Sequence, residues 1–272
     1  MEISEEQAAA ALLRWYADMG VDEAVGSAAA DLYAWKAVSE TAAKSPAPAP
    51  KARAARPTTP VFQAAEAAPA ADEAIETARR SAAACARFEE LQAAVTAFEG
   101  CPLKAGAKNT VFADGVPGSD LLVIGEAPGR DEDRIGKPFV GRAGQLLDKM
   151  LAAIGRSRKA DTLISNVIYW RPPGNRTPTQ IETATCRPFV ERLIELTDPK
   201  IIVLAGGAPM QALLEITGIM RARGVWRELE LTSGARFPVM PIFHPAFLLR
   251  QPANKRLAWA DLQAIEARLR KG

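Results

Sequence analysis

A single histidine stands in the 272 residues, and it opens the run His244-Pro245-Ala246-Phe247-Leu248-Leu249-Arg250 directly after an apolar stretch ending at Phe243. Imidazole is the side chain whose ordinary pKa lies closest to neutrality, so one copy leaves few ways to place such a donor or acceptor. Far upstream, the apolar run Leu121-Leu122-Val123-Ile124 leads into Gly125-Glu126-Ala127-Pro128-Gly129-Arg130-Asp131-Glu132-Asp133. That segment couples glycines able to turn tightly against a ligand with three consecutive carboxylates able to position or activate water. Each feature has a plainer reading. An isolated histidine is often satisfied inside a core, a carboxylate cluster can cap a helix, and the glycine pattern is no GxGxxG dinucleotide fingerprint. Both loops nevertheless follow buried-strand patterns, which is where α/β enzymes carry their working groups.

The elements that must position these loops follow from the apolar periodicity. Bounded aliphatic runs at 120–124, 162–168, 200–205 and 237–243 read as buried strands, separated by helical patterns at 142–154, 178–197 and 207–217, with a last one at 255–270. Continuous apolar strands alternating with helices predict a three-layer α/β/α domain with a central, mainly parallel sheet of about four strands. Its ligand site belongs past the carboxyl ends of the strands, so the loops after Ile124, near Asn166 and after Phe243 are expected to converge. Ahead of this domain, Ser4 and Gln7 form a capping box for a helix over Ala8–Met19, and a second short helix is expected over Asp22–Val38. Residues 39–72 are rich in Ala and Pro, with prolines at 46, 48, 50, 57, 60 and 69, and read as a flexible linker. A helix from Asp72 to Phe98 leads into the main domain. The expected organisation is a helical segment over 1–38, a linker over 39–72 and the α/β/α domain over 73–272.

Hydrophobic residues make up 48% of the chain, enough for a sizeable core, and no stretch reaches the roughly 20 apolar residues of a membrane span. Acidic residues at once after Met1, with no basic leader, argue against a secretory signal. Cys85, Cys101 and Cys186 form neither a CxxC pair nor an even disulfide set, which favours a reduced, cytoplasmic setting. The net charge of +2 hides an asymmetry: residues 1–100 carry 9 Lys/Arg against 15 Asp/Glu, a net of −6, and the remainder carries 25 against 17, a net of +8. A basic C-terminal portion suits a polyanionic partner.

Taken in order, GEAPGRDED (125–133), KPFVGRAGQLLDKML (137–151), SNVIYWRPPGNRTPT (165–179) and HPAFLLR (244–250) resemble the family 4 uracil-DNA glycosylases, over about Cys101 to Trp259 and including Arg223-Gly224. The resemblance implies a monofunctional DNA repair glycosylase that hydrolyses the N-glycosidic bond of deoxyuridine and leaves an abasic site. It assigns His244 a hydrogen bond to uracil O2 as the leaving anion forms. Asn166 would read O4 and N3–H, since its amide both donates and accepts and cytosine reverses both polarities. Phe139 would be the floor on which the flipped base stacks, with Gly125, Glu126 and Ala127 lining the pocket. Glu132 is matched to the water-activating role, in preference to its neighbour Asp131. On the same reading Leu248 and Leu249 wedge into the base stack, and Arg142 and Arg250 contact phosphate, with Lys137, Arg171 and Arg176 as further candidates.

The chain departs from that family at the iron–sulfur cluster. The four ligand positions read Phe98, Cys101, Trp170 and Cys186, so two thiolates are replaced by aromatics that cannot ligate iron. We expect no cluster and no other cofactor or metal, with Phe98 and Trp170 filling the volume. A related group traps DNA covalently through a histidine in a basic insert; the corresponding Gly155-Arg156-Ser157-Arg158-Lys159 has none, which favours turnover. The partner is expected to be uracil-containing DNA, single- or double-stranded, and no membrane; residues 1–38 form a candidate docking arm for a protein partner on a monomeric chain. Two other readings stay open: a uracil-DNA or single-strand binding module without turnover, and a glycosylase with another damaged-base preference.

Overall fold

The computed structural model describes residues 67–271, all within one unit spanning 61–272. The helices expected over 8–38, and the linker up to residue 66, lie outside the described residues. Six strands form one sheet: β1 (Ala113–Gly115), β2 (Leu121–Gly125), β3 (Thr162–Asn166), β4 (Ile201–Ala205), β5 (Arg227–Glu230) and β6 (Arg236–Ile242), in the order β1-β3-β2-β4-β6-β5. The four inner strands are parallel, and every residue of β2, β3 and β4 is buried, as a sheet covered on both faces requires. The register pairs Gly125 with Asn166 and Ala205 with Ile242, so the strand ends that precede the candidate loops lie along one edge.

The helices are α1 (Ala67–Ala83), α2 (Phe88–Ala97), α3 (Arg130–Ile135), α4 (Arg142–Ala152), α5 (Gln180–Thr197), α6 (Gly207–Leu214), α7 (Ile219–Ala222), α8 (Pro245–Arg250) and α9 (Lys255–Leu269). Successive strand residues point to opposite faces and build two cores. Leu122 and Ile124 pack with Leu91, Phe189, Leu193 and Met210 from α2, α5 and α6. Leu121 and Val123 pack with Leu147, Leu151, Leu262 and Ile265 from α4 and α9. No helix among the described residues is long and apolar enough to cross a membrane.

Three features differ from the expectation. Two antiparallel edge strands join the four parallel ones: β5 buries one residue of four and β1 none, so neither shows an apolar run. The helix expected over 72–98 is two helices. Arg192 of α5 donates from Nε and Nη2 to the Cys85 carbonyl (2.9 and 2.7 Å), and Glu90 accepts from the Ala86 amide (2.8 Å), which fixes a break between α1 and α2. Finally, α1 begins at Ala67, inside the range read as linker; Pro69 falls in its first turn, where a missing N–H costs no intrahelical bond.

Candidate active site

The site is assembled where β2 and β3 end side by side. Past the paired residues Gly125 and Asn166, the Val167 and Ile168 amides donate to the carbonyls of Gly125 (2.9 Å) and Glu126 (3.0 Å), prolonging the ladder into the loop. Asn166 is 2% exposed, yet no protein group among the described residues hydrogen-bonds its carboxamide. The Tyr169 hydroxyl is the only fully enclosed unpaired side-chain polar atom among the described residues, so the Asn166 amide opens onto accessible space, where a ligand or water can serve it. A Cβ at Gly125 would stand 2.5 Å from both Asn166 Oδ1 and Phe139 Cε2, so only glycine lets the amide and the ring approach the same spot. Phe139, 6% exposed, holds a left-handed backbone (φ 53°), a strained state for an aromatic residue that costs about 1–3 kcal/mol. Its ring stacks on the His244 imidazole with centroids 5.5 Å apart and planes at 29°. Asn166, Phe139 and His244 therefore meet at one place.

His244 is the N-cap of α8, and its Nδ1 accepts the Ala246 amide at 3.1 Å. An imidazole that accepts at Nδ1 while neutral carries its proton on Nε2, which is left as a donor. Burial first and the Arg250 charge second pull the pKa down to about 4, with Glu132 opposing them. The ring is thus neutral at pH 7. Gly206, just past β4, has φ 109°, and a Cβ there would lie 3.1 Å from the His244 Cβ. It is a site residue that the sequence reading missed; its signal was a Gly-Gly pair directly after a buried strand.

The carboxylates divide their work. Glu132 Oε1 accepts the amides of Val140 (3.0 Å) and Gly141 (2.9 Å), and Oε2 accepts that of Gly129 (3.1 Å), so this side chain ties the 125–129 loop to the 139–141 loop. Asp133 is buried and accepts the Lys108 and Asn109 amides (2.8 and 3.2 Å). Asp131 keeps an exposed side chain with one long contact to Arg134 (3.5 Å), and its Oδ2 lies beside Gly141. Glu126 lines a separate cavity of about 370 Å³ with Val167, Ile168, Thr183 and Gln211, where burial raises its pKa; its backbone carbonyl stays in the ladder.

On the surface, Arg142 and Arg250 are exposed, and neither has an ion pair among the described residues. Leu249 is half-buried. Leu248 does not fit the wedge role: it is 1% exposed and packed into the core beneath α8, because the helix turns it toward Leu147 and Leu262. Arg176 is engaged by Glu182 through both terminal nitrogens (2.9 and 2.6 Å), and Lys137 pairs with Asp114 (2.9 Å), which leaves them less free for phosphate. Arg171 donates to Asn175 (2.7 Å).

The sequence model of the uracil DNA glycosylase superfamily matches residues 112–263, which contain all six strands and the site residues from Gly125 to Arg250. The chain belongs to this superfamily. It is 36% identical over 175 residues to a type-4 uracil-DNA glycosylase of Thermotoga maritima, covering 63% of this chain and 88% of that one. It is 39% identical over 170 residues to the type-4 enzyme of Archaeoglobus fulgidus, covering 61% and 84%, and 34% identical over 186 residues to that of Sulfurisphaera tokodaii, covering 65% and 83%.

As a member of the superfamily the chain can be tested for the four-thiolate cluster of its family 4 branch, and the donor set does not fit. Phe98 and Trp170 stack with centroids 6.4 Å apart, Phe189 meets Phe98 edge-on at 5.1 Å, and the Trp170 indole donates to Thr110 (3.0 Å). Cys101 and Cys186 are buried free thiols of the same core. Contact with Cys101, then burial, pushes the Cys186 thiol well above its ordinary value, while the same contact lowers that of Cys101. The space is filled by aromatic packing, with the buried Tyr169 hydroxyl beside it lacking a partner among the described residues.

Proposed function

We propose that this protein excises uracil from DNA by hydrolysis of the N-glycosidic bond, leaving an abasic site for later repair steps. The observation that carries the reading is the convergence of a neutral imidazole with a free Nε2 proton, an unpaired buried carboxamide and a strained aromatic floor around Gly125. Such a pocket takes one flipped-out base. Phe139 stacks it. Asn166 donates to O4 and accepts from N3–H, a pattern that cytosine cannot match.

In the reaction the C1′–N1 bond breaks and its electron pair leaves with uracil, whose negative charge spreads onto O2. His244 donates from Nε2 to that oxygen as charge develops, acting as a fixed neutral donor rather than as an acid that gives up its proton. A water oxygen bonds to C1′ of the oxocarbenium-like sugar and its proton passes to a carboxylate. The resemblance assigns that task to Glu132. The hydrogen bonding supports a division: Glu132 holds the two loops and supplies fixed negative charge near the sugar, and Asp131, with oxygens free of backbone amides, takes the proton. Exposed Arg142 and Arg250, with Leu249 at the surface of α8, face the DNA strand. The filled cluster site supports catalysis with no metal and no cofactor, the aromatic packing replacing what a cluster would stabilise.

A gel assay on uracil-containing oligonucleotides tests this reading. Alkali-labile strand breaks at uracil are expected, and a band shift without them would make the protein a binding module instead. Competition with oligonucleotides bearing other damaged bases fixes the preference.

A further inference from the structure

The Phe139 backbone is held in its disfavoured state by one side chain outside the motifs. Arg158, in the turn between α4 and β3, is 11% exposed at its side chain and makes four hydrogen bonds. Its Nε donates to Asp148 of α4 (2.8 Å), and Nη1 donates to Asp114 of β1 (3.1 Å) and to the Pro138 carbonyl (2.9 Å). Its Nη2 donates to the Phe139 carbonyl (2.7 Å). The two gripped carbonyls flank the two soft dihedrals of Phe139: rotating φ swings the Pro138 oxygen and rotating ψ swings the Phe139 oxygen. A planar guanidinium bonded to both fixes both angles, which a point-charge ammonium cannot do. The two aspartates fix the guanidinium in turn, each from a separate element. A Cβ at Gly144 would lie 1.8 Å from the Phe139 oxygen, so the carbonyl has room there only because residue 144 is glycine.

We infer that Arg158 is a positioning residue that sets the angle of the base-stacking floor, and through it the affinity for the flipped base; the inference rests on the glycosylase reading given above. It makes Asp114 and Asp148 supports of the same device.

The test is a double-mutant cycle between Arg158→Gln and Phe139→Gly, with Arg158→Lys as the conservative variant. Glycine removes the ring and accepts positive φ without strain. Measured well below each unfolding midpoint, Arg158→Gln is expected to lower kcat/KM about 10-fold, carried chiefly by KM, with Arg158→Lys close to it. In the Phe139→Gly background the same change should cost less than about 2-fold. Multiplying effects, or wild-type KM in both Arg158 variants, would overturn the inference. The crystal structure of Arg158→Gln gives a readout independent of activity: φ of residue 139 should leave the left-handed region, and its retention near 53° would refute the positioning role. Loss of catalysis in the wild-type chain itself would sink the glycosylase reading and leave that backbone test standing.

Discussion

The half-buried, neutral state of His244 has a consequence for stability. The ring's pKa falls from the ordinary 6.5 to about 4, chiefly through burial. A difference of this size, at about 1.4 kcal/mol per pH unit, amounts to about 3.5 kcal/mol between the two protonation states. The sign follows from which state binds the proton more readily. Between pH 6.5 and 4 the unfolded chain is protonated at His244 and the folded one is not. The contribution is therefore fully present above 6.5 and is lost as pH falls toward 4, about 2.5 kcal/mol of it by pH 4.5. Urea unfolding from pH 7.5 to 4.5 measures this, with His244→Gln as the reference that cancels the titration of carboxylates. Wild type should lose about 2.5 kcal/mol more than the variant over that range. Because the chain has one imidazole, proton–nitrogen correlation spectra report it alone, and should show the Nε2-protonated tautomer persisting below pH 5.5. An imidazole titrating near 6.5, or protonated at Nδ1 while neutral, would refute both the burial argument and the neutral-donor chemistry.

Other expectations are equally specific. Glu132→Gln sets an amide NH2 against the Gly129 N–H, so it should destabilise the fold by about 1–3 kcal/mol and slow excision markedly, read by urea midpoint and single-turnover rate. Asn166→Asp removes the amide donor assigned to O4 and puts a carboxylate at a position 2% exposed, so it should cut uracil excision about 100-fold when assayed well below its own unfolding midpoint, which should itself be lowered. Phe98→Ala opens a cavity in the filled cluster site and should cost about 3–5 kcal/mol by denaturant unfolding, while purified wild type should lack visible-range absorbance and stoichiometric iron.

The strands were legible because β2 and β4 are near-continuous aliphatic runs and β3 and β6 lie in short, mostly apolar stretches bounded by turn residues, and the two main loops were legible because they follow such runs. Strands β1 and β5 were hidden: Ala113-Asp114-Gly115 and Arg227-Glu228-Leu229-Glu230 carry too few buried side chains to show any pattern. The break at Cys85 depends on Arg192, distant in sequence and invisible to local propensity. At the site, the lone imidazole singled out His244 and the family resemblance assigned Asn166 and Phe139, but neither told which carboxylate oxygens are free. That the Glu132 carboxylate serves three amides, that Leu248 points inward, and that Gly206 makes room for the imidazole are facts of tertiary packing. The polar grip of Arg158 on Phe139 was equally unreadable, since its acceptors are backbone oxygens and two aspartates scattered along the chain.

The most direct test of the central claim is the release of free uracil from a uracil-containing oligonucleotide by wild type and by His244→Ala, each under single turnover at pH 7.5. The account predicts stoichiometric uracil from wild type and a rate lower by about 100- to 1000-fold in the variant, with DNA binding retained. Uracil release by the variant at the wild-type rate would contradict it.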